Sequence, residues 1–438
     1  MAIGTGDAGH DLPYPVGMDV PERWERSSRL LADHRDIIDA TEDHAPPAWA
    51  ARRGWLPWLE ARPDAFVDAA DAAGLAALLD AAHDAPDDLR ALGATVRALT
   101  DLPLLAGEPA WALDPRRAAP RKRAQVLAFA ALTAPLARDA HRIVDVGAGH
   151  GHLTRHLAEA FAAEAIGIER DHERVAVATG LAAGRVRFEA VDALTVDLAL
   201  RPEDLVLGLH ACGALTDRLA RAAAEGGAAA AWVSCCLQRL HAGAVRAPLV
   251  TPPVGEAALT LAVRILGLSN AAPQAHGVEA DLSAIAEARA RREGLRVLLE
   301  LRGVVIHPGE ELRGVNRRRS HDPLSALAAR VLAGRGLSAP TPTELSCATA
   351  EGATRWAARR RYALPRRMLG PLVELYVNLD RALLLLRAGH AVEVGRAFPA
   401  DLSPRNLAVR AGRRAPARAA RSAPTDEPPP RARRGEVA

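Results

Sequence analysis

His210, Cys212, Cys235 and Cys236 are the residue types in this chain best suited to act on a substrate atom. They sit in two short segments, Leu209-His-Ala-Cys-Gly213 and Ser234-Cys-Cys236. An imidazole titrates near neutral pH and can take a proton from a hydroxyl or a protonated amine. The same imidazole could equally serve to orient the loop that carries it. A thiol can be a nucleophile, a metal ligand or a small polarizable packing group. Each segment follows an apolar run, Asp204 to Leu209 and Ala228 to Ser234, so both read as strand ends. Ligands of an open α/β sheet sit outside the carboxyl ends of its strands. His210, Cys212 and Cys235 are therefore expected to converge on one pocket.

The elements that must position them begin at Arg142-Ile-Val-Asp-Val-Gly-Ala-Gly-His-Gly151. An apolar β-branched run ends in Gly147, Gly149 and Gly151, and a helical stretch opens at His152. Glycines allow a ligand close to the backbone, and a helix start offers it free N–H groups. This spacing suits a dinucleotide or S-adenosylmethionine. Asp145 favours the second, because an acid at the strand end opposes a pyrophosphate but accepts a hydrogen bond from an ammonium group. A second strand ends in Glu169, where an acid typically binds ribose hydroxyls. A third, Val186 to Val191, is followed by Asp192, placed to meet an adenine amino group. The expected cofactor set is Asp145, Gly147, Gly149, Gly151, Glu169, Asp192 and His210, and the expected cofactor is S-adenosylmethionine.

Three acids at successive strand ends, with glycines after the first alone, resemble the class I S-adenosylmethionine-dependent methyltransferases. The segments around His210 and Cys235, with Arg121-Lys122 upstream and Leu402-Ser-Pro-Arg-Asn406 near the end, resemble the methyltransferase-like protein 25 family. That family includes the protein named for a ribosomal RNA adenine dimethylase domain. Similar segments occur more distantly in a tRNA 2′-O-methyltransferase family. The resemblance covers about residues 115–240 and 365–410. It implies a doubly wound, Rossmann-like α/β sheet of seven strands and methyl transfer to a nitrogen or oxygen acceptor. His210, Cys212 and Cys235 are the expected catalytic residues. A protein or small-molecule acceptor, or a regulatory module that binds the cofactor without turnover, remains the alternative.

The cysteines raise two further chemistries. A nucleophilic cysteine for pyrimidine methylation is disfavoured because the usual Pro-Cys context is missing. A metal site is disfavoured because adjacent residues of a strand point to opposite faces, which would separate Cys235 from Cys236. No metal is expected, and the cysteines are read as shaping the pocket.

At 438 residues with 49% hydrophobic composition, the chain is long enough for a large core with additions. No apolar run approaches the ~18 residues of a membrane span. The N-terminus has no basic segment leading into an apolar one, and four cysteines make no disulfide framework, so a cytoplasmic protein is expected. Lys122 is the one lysine, and a net charge of +3 excludes no partner class. The expected organisation is a loose N-terminus (1–20) and a helical accessory domain (21–114). The first part of the methyltransferase core (115–240) is interrupted by an inserted lid subdomain (241–365). The last helix and hairpin of the core (366–410) and a disordered Arg/Pro-rich tail (411–438) complete it. Tryptophans of the helical domain are read as packing anchors. Arginine clusters at 317–319 and 359–367 favour RNA over a protein partner. Oligomeric state is not legible.

Overall fold

The computed structural model describes residues 19–108, 119–182, 184–252, 258–270, 282–307, 309–316, 319 and 322–413. Seven strands form one sheet: β1 (Arg142–Val146), β2 (Glu164–Glu169), β3 (Val186–Ala190), β4 (Asp204–Ala211), β5 (Ala229–Ser234), β6 (His390–Arg396) and β7 (Leu407–Arg413). Their order is β3-β2-β1-β4-β5-β7-β6, with β1 to β5 parallel and β7 antiparallel to both neighbours. Parallel strands covered on both faces need continuous apolar sequence. Accordingly, β4 and β5 are buried over almost their whole length. The order reverses between β1 and β4, where doubly wound sheets bind ligands. Both the sheet and its closing hairpin lie where the sequence pattern put them.

The Pro120–Arg138, His152–Phe161, Ala214–Gly226 and Gly370–Arg387 helices clothe the sheet. The N-terminal helices, from Val20–Asp33 to Asp87–Thr100, do not keep a core of their own. Trp24, Trp55 and Leu89 belong to the same buried cluster as Val206 and Trp232 of the sheet. Trp24 stacks on Tyr376 of the Gly370–Arg387 helix, with ring centroids 5.9 Å apart. The tryptophans are packing anchors, as expected, but the accessory helices are continuous with the core of the sheet.

The insertion is helical, built from Leu282–Leu301, Leu324–Ala333 and Pro342–Met368 around a small core of Leu298, Leu324, Val331 and Ala348. The apolar run from Leu295 continues the first of these helices. Its main contacts outside itself are with the N-terminal helices, which corrects the lid expectation. The reason is electrostatic. Asp64, Asp68 and Asp71 share one helix face and meet arginines of the Pro342–Met368 helix. Arg361 pairs with Asp64, Arg360 with Asp68 and Asp71, and Arg367 with Asp71. Arg366 pairs with Glu42, and Arg359 with Glu293. This second arginine cluster is an internal clamp, so it lends no support to an RNA surface. Of the first cluster, Arg317 and Arg318 lie outside the described residues, as does the tail from 414; residues 411–413, expected in that tail, instead complete β7 by pairing with β6. Among the described residues no helix is long and apolar enough to cross a membrane.

Candidate active site at the carboxyl edge of the sheet

The loop after β1 is built on left-handed glycines, with φ of +78°, +59° and +69° at Gly147, Gly149 and Gly151. A Cβ at Gly151 would stand 2.2 Å from the Phe188 ring, so that position admits no side chain. Around Gly149 a Cβ would meet nothing within 4 Å, and at Gly147 one would meet Leu215 alone, at 3.7 Å. The loop therefore leaves clear space beside exposed backbone at the start of the His152–Phe161 helix, which fits a bound cofactor.

Asp145 is buried at the end of β1 and accepts a 2.6 Å hydrogen bond from Thr154 Oγ1. Burial pushes its carboxyl up to about 6, opposed by that bond and by the Lys122 ammonium. Burial in turn lowers the Lys122 pKa, while Asp145 and Cys235 pull it back up. Glu169 accepts from the Gly149 N–H at 3.0 Å and from the Asp171 N–H at 3.1 Å, so this strand-end acid holds the glycine loop. Asp192 uses one oxygen to accept from the Leu194 N–H at 3.0 Å and fix its own turn.

β4 pairs regularly with β5 as far as Leu209, then slips register at Ala211. The residue between them, His210, adopts φ +65°. A bulge with a left-handed non-glycine residue re-aims its side chain. His210 Nε2 meets Gln125 Oε1 at 3.0 Å, and Gln125 lies on the Pro120–Arg138 helix. Burial, then Lys122, Arg405 and Arg121, hold the imidazole down at about 4. The imidazole is therefore neutral and only weakly basic, with Nε2 engaged by Gln125.

Cys212 and Cys235 come together as expected, whereas the His210 imidazole turns to Gln125 and only its backbone carbonyl faces them. Cys212 Sγ and Cys235 Sγ lie 2.9 Å apart, and both face the His210 carbonyl, at 3.4 and 3.5 Å. A hydrogen bond from Cys235, with help from Cys236 and Arg239, lowers the Cys212 pKa, while the Cys235 thiol is pushed up. Cys236 was expected on the opposite face of the strand. β5 ends at Ser234, so the alternation stops before Cys235, and all three sulfurs lie within 4.8 Å of one another.

A buried polar frame holds these ends in place. Arg381 donates to Asp217 Oδ1 at 2.7 Å, Ser234 Oγ at 3.1 Å and the Gly213 carbonyl at 3.0 Å. Arg246 bridges Asp217 and Asp380, and Ser234 Oγ donates to Asn378 Oδ1 at 2.8 Å. Gly213 has φ +51°, and a Cβ there would stand 2.0 Å from the Arg239 carbonyl. One turn before Asn378 lies Glu374, whose carboxyl burial pushes up to about 7 against the pull of Arg405, Arg396 and Arg381.

Residues 121–243 match the family model described as a methyltransferase domain. That stretch is a class I methyltransferase domain. Its cofactor is S-adenosylmethionine, which the clear glycine loop and the acids at the ends of β1 and β2, with Asp192 just past β3, are suited to hold. Similar solved structures include CalS10, an amino pentose methyltransferase from Micromonospora echinaspora, with 27% identity over 31% of this chain and 60% of that one and a TM-score of 0.22. The magnesium protoporphyrin IX methyltransferase of Synechocystis shows 20% identity over 25% and 54%, with a TM-score of 0.21. The [4+2]-cyclase SpnF shows 22% identity over 30% and 52%, with a TM-score of 0.22. The likeness spans about half the length of such structures. No curated protein matches the chain.

Sequence reading missed the methyltransferase domain's supporting residues: Gln125, Thr154, Asp217, Arg246, Glu374, Asn378, Asp380 and Arg381. Thr154 alone left a local signal, at the third position of the helix that follows the glycines.

Proposed function

We propose that the chain is an S-adenosylmethionine-dependent methyltransferase acting on a nitrogen or oxygen acceptor at the carboxyl edge of β4 and β5. One observation carries this reading. The glycine loop, the acid series and the distant Leu402–Asn406 segment meet at one edge, where Gln125 bridges His210 and the Leu402 carbonyl and Arg121 donates to that carbonyl at 2.8 Å. Arg121, the His210 segment and the Leu402–Asn406 segment carry the resemblance to the methyltransferase-like protein 25 family, and their meeting supports that finer kinship.

Bound cofactor supplies an electrophilic methyl group. The chain must align an acceptor lone pair with it and exclude competing water. His210, neutral and anchored by Gln125, orients the edge. The test is incubation of the full chain with tritiated cofactor and fractionated cell extract. Label should pass to an acceptor and vanish with Glu169→Ala. Cofactor binding without any transfer would favour the regulatory module, and label in RNA, protein or small molecules would sort the acceptor class.

A further inference from the structure

We propose that Cys212, Cys235 and Cys236 form a site for one thiophilic metal ion, zinc in the first instance, with an open fourth position. The three Sγ atoms lie within 4.8 Å of one another, and the Cys212–Cys235 pair stands at 2.9 Å. Zinc–thiolate bonds of about 2.3 Å in a tetrahedron put sulfurs about 3.8 Å apart, between those two values. Small side-chain rotations bring all three to that spacing. The ligands come from two strand ends that are already fixed. Cys212 precedes Gly213, whose carbonyl Arg381 holds, and Cys235 follows Ser234, held by Asn378 and Arg381. The loop after Cys236 is locked back onto the first, since the Ala214 N–H donates to the Arg239 carbonyl at 2.8 Å. A site on rigid, cross-braced ends is prepared for a metal.

The chemistry of the donors selects the ion. Three sulfurs suit zinc or another soft metal and reject magnesium or calcium. A zinc ion with three thiolates carries a net negative charge, and the cations facing the cluster are Lys122 and Arg239. His210 does not complete the set, because neither ring nitrogen joins the three sulfurs within 4.8 Å of one another, and Nε2 is engaged by Gln125. All three cysteines are part-exposed, so solvent or an incoming group takes the fourth position. Three protein ligands with one open position is the arrangement of catalytic rather than structural zinc. A Cys212–Cys235 disulfide would use two of the sulfurs and leave the third outside, whereas the metal accounts for all three.

The test uses the full chain purified with reductant and without chelators. Elemental analysis should find one zinc per chain, lost in Cys212→Ser, Cys235→Ser and Cys236→Ser and kept in Cys347→Ser, whose thiol is exposed on the Pro342–Met368 helix. Should a serine variant fail to fold, cobalt titration of the wild-type chain gives the same answer. It should produce sulfur-to-cobalt charge-transfer bands with a one-to-one endpoint, abolished by zinc. Metal-free protein that also yields no such bands would overturn the site. So would zinc retained in any of the three serine variants, or a Cys212–Cys235 disulfide in protein alkylated at lysis.

Discussion

The proposed cofactor site asks two tasks of the Glu169 carboxylate. It accepts from the Gly149 and Asp171 N–H groups and, as proposed, from the ribose hydroxyls. Glu169→Ala should weaken cofactor binding by about 1–3 kcal/mol, the usual value of a charge-assisted hydrogen bond; unchanged affinity by calorimetry would contradict the role. Asp145 differs, because burial raises it from 3.8 to about 6. The folded chain keeps a proton there that the unfolded chain releases. The stability this contributes is complete below about pH 4 and lost as pH rises through 6. Asp145→Asn should therefore raise the unfolding free energy of the cofactor-free chain by about 1–3 kcal/mol at pH 7.5 and leave it nearly unchanged at pH 4. Urea titrations at both pH values check this, and a less stable variant at pH 7.5 would reject it. The acids were legible because each ends an apolar run. The titration of Asp145, His210 and Glu374 was not, since burial is set by residues far away in sequence.

At the scale of elements, the apolar run from Leu369 was readable as a helix, but its polar residues were not readable as the brace of the site. Arg381 reaches Asp217, separated by 164 residues, and no local pattern announces such a pair. Arg381→Met leaves Asp217 and the Gly213 carbonyl without that partner, and removing one member of a buried ion pair typically costs about 3–5 kcal/mol. A denaturant midpoint unchanged from wild type would show that the frame does not depend on it. The β4 bulge was also hidden, because the residues flanking His210 continue an apolar strand pattern that gives no sign of the register slip.

For the whole molecule, the error of the sequence reading was to give the N-terminal helices and the arginine clusters separate lives. Asp64, Asp68 and Asp71 at helical spacing were the available sign that Arg360, Arg361 and Arg367 had partners inside the chain. Because those helices share the core of the sheet, a chain beginning at residue 103 should lose cooperative thermal unfolding and bind a hydrophobic dye in buffer. A truncated chain with a sharp transition near that of the full protein would restore the idea of an independent domain.

Lys122 gives this last scale a chemical meaning. Side-chain amine chemistry has one address in the whole chain, and it lies beside Asp145 and Cys235. A reagent that acylates lysine therefore cannot decorate this protein diffusely. At a side chain it removes the positive charge that steadies the Asp145 carboxylate, leaving Thr154 to oppose burial and that acid closer to its protonated form.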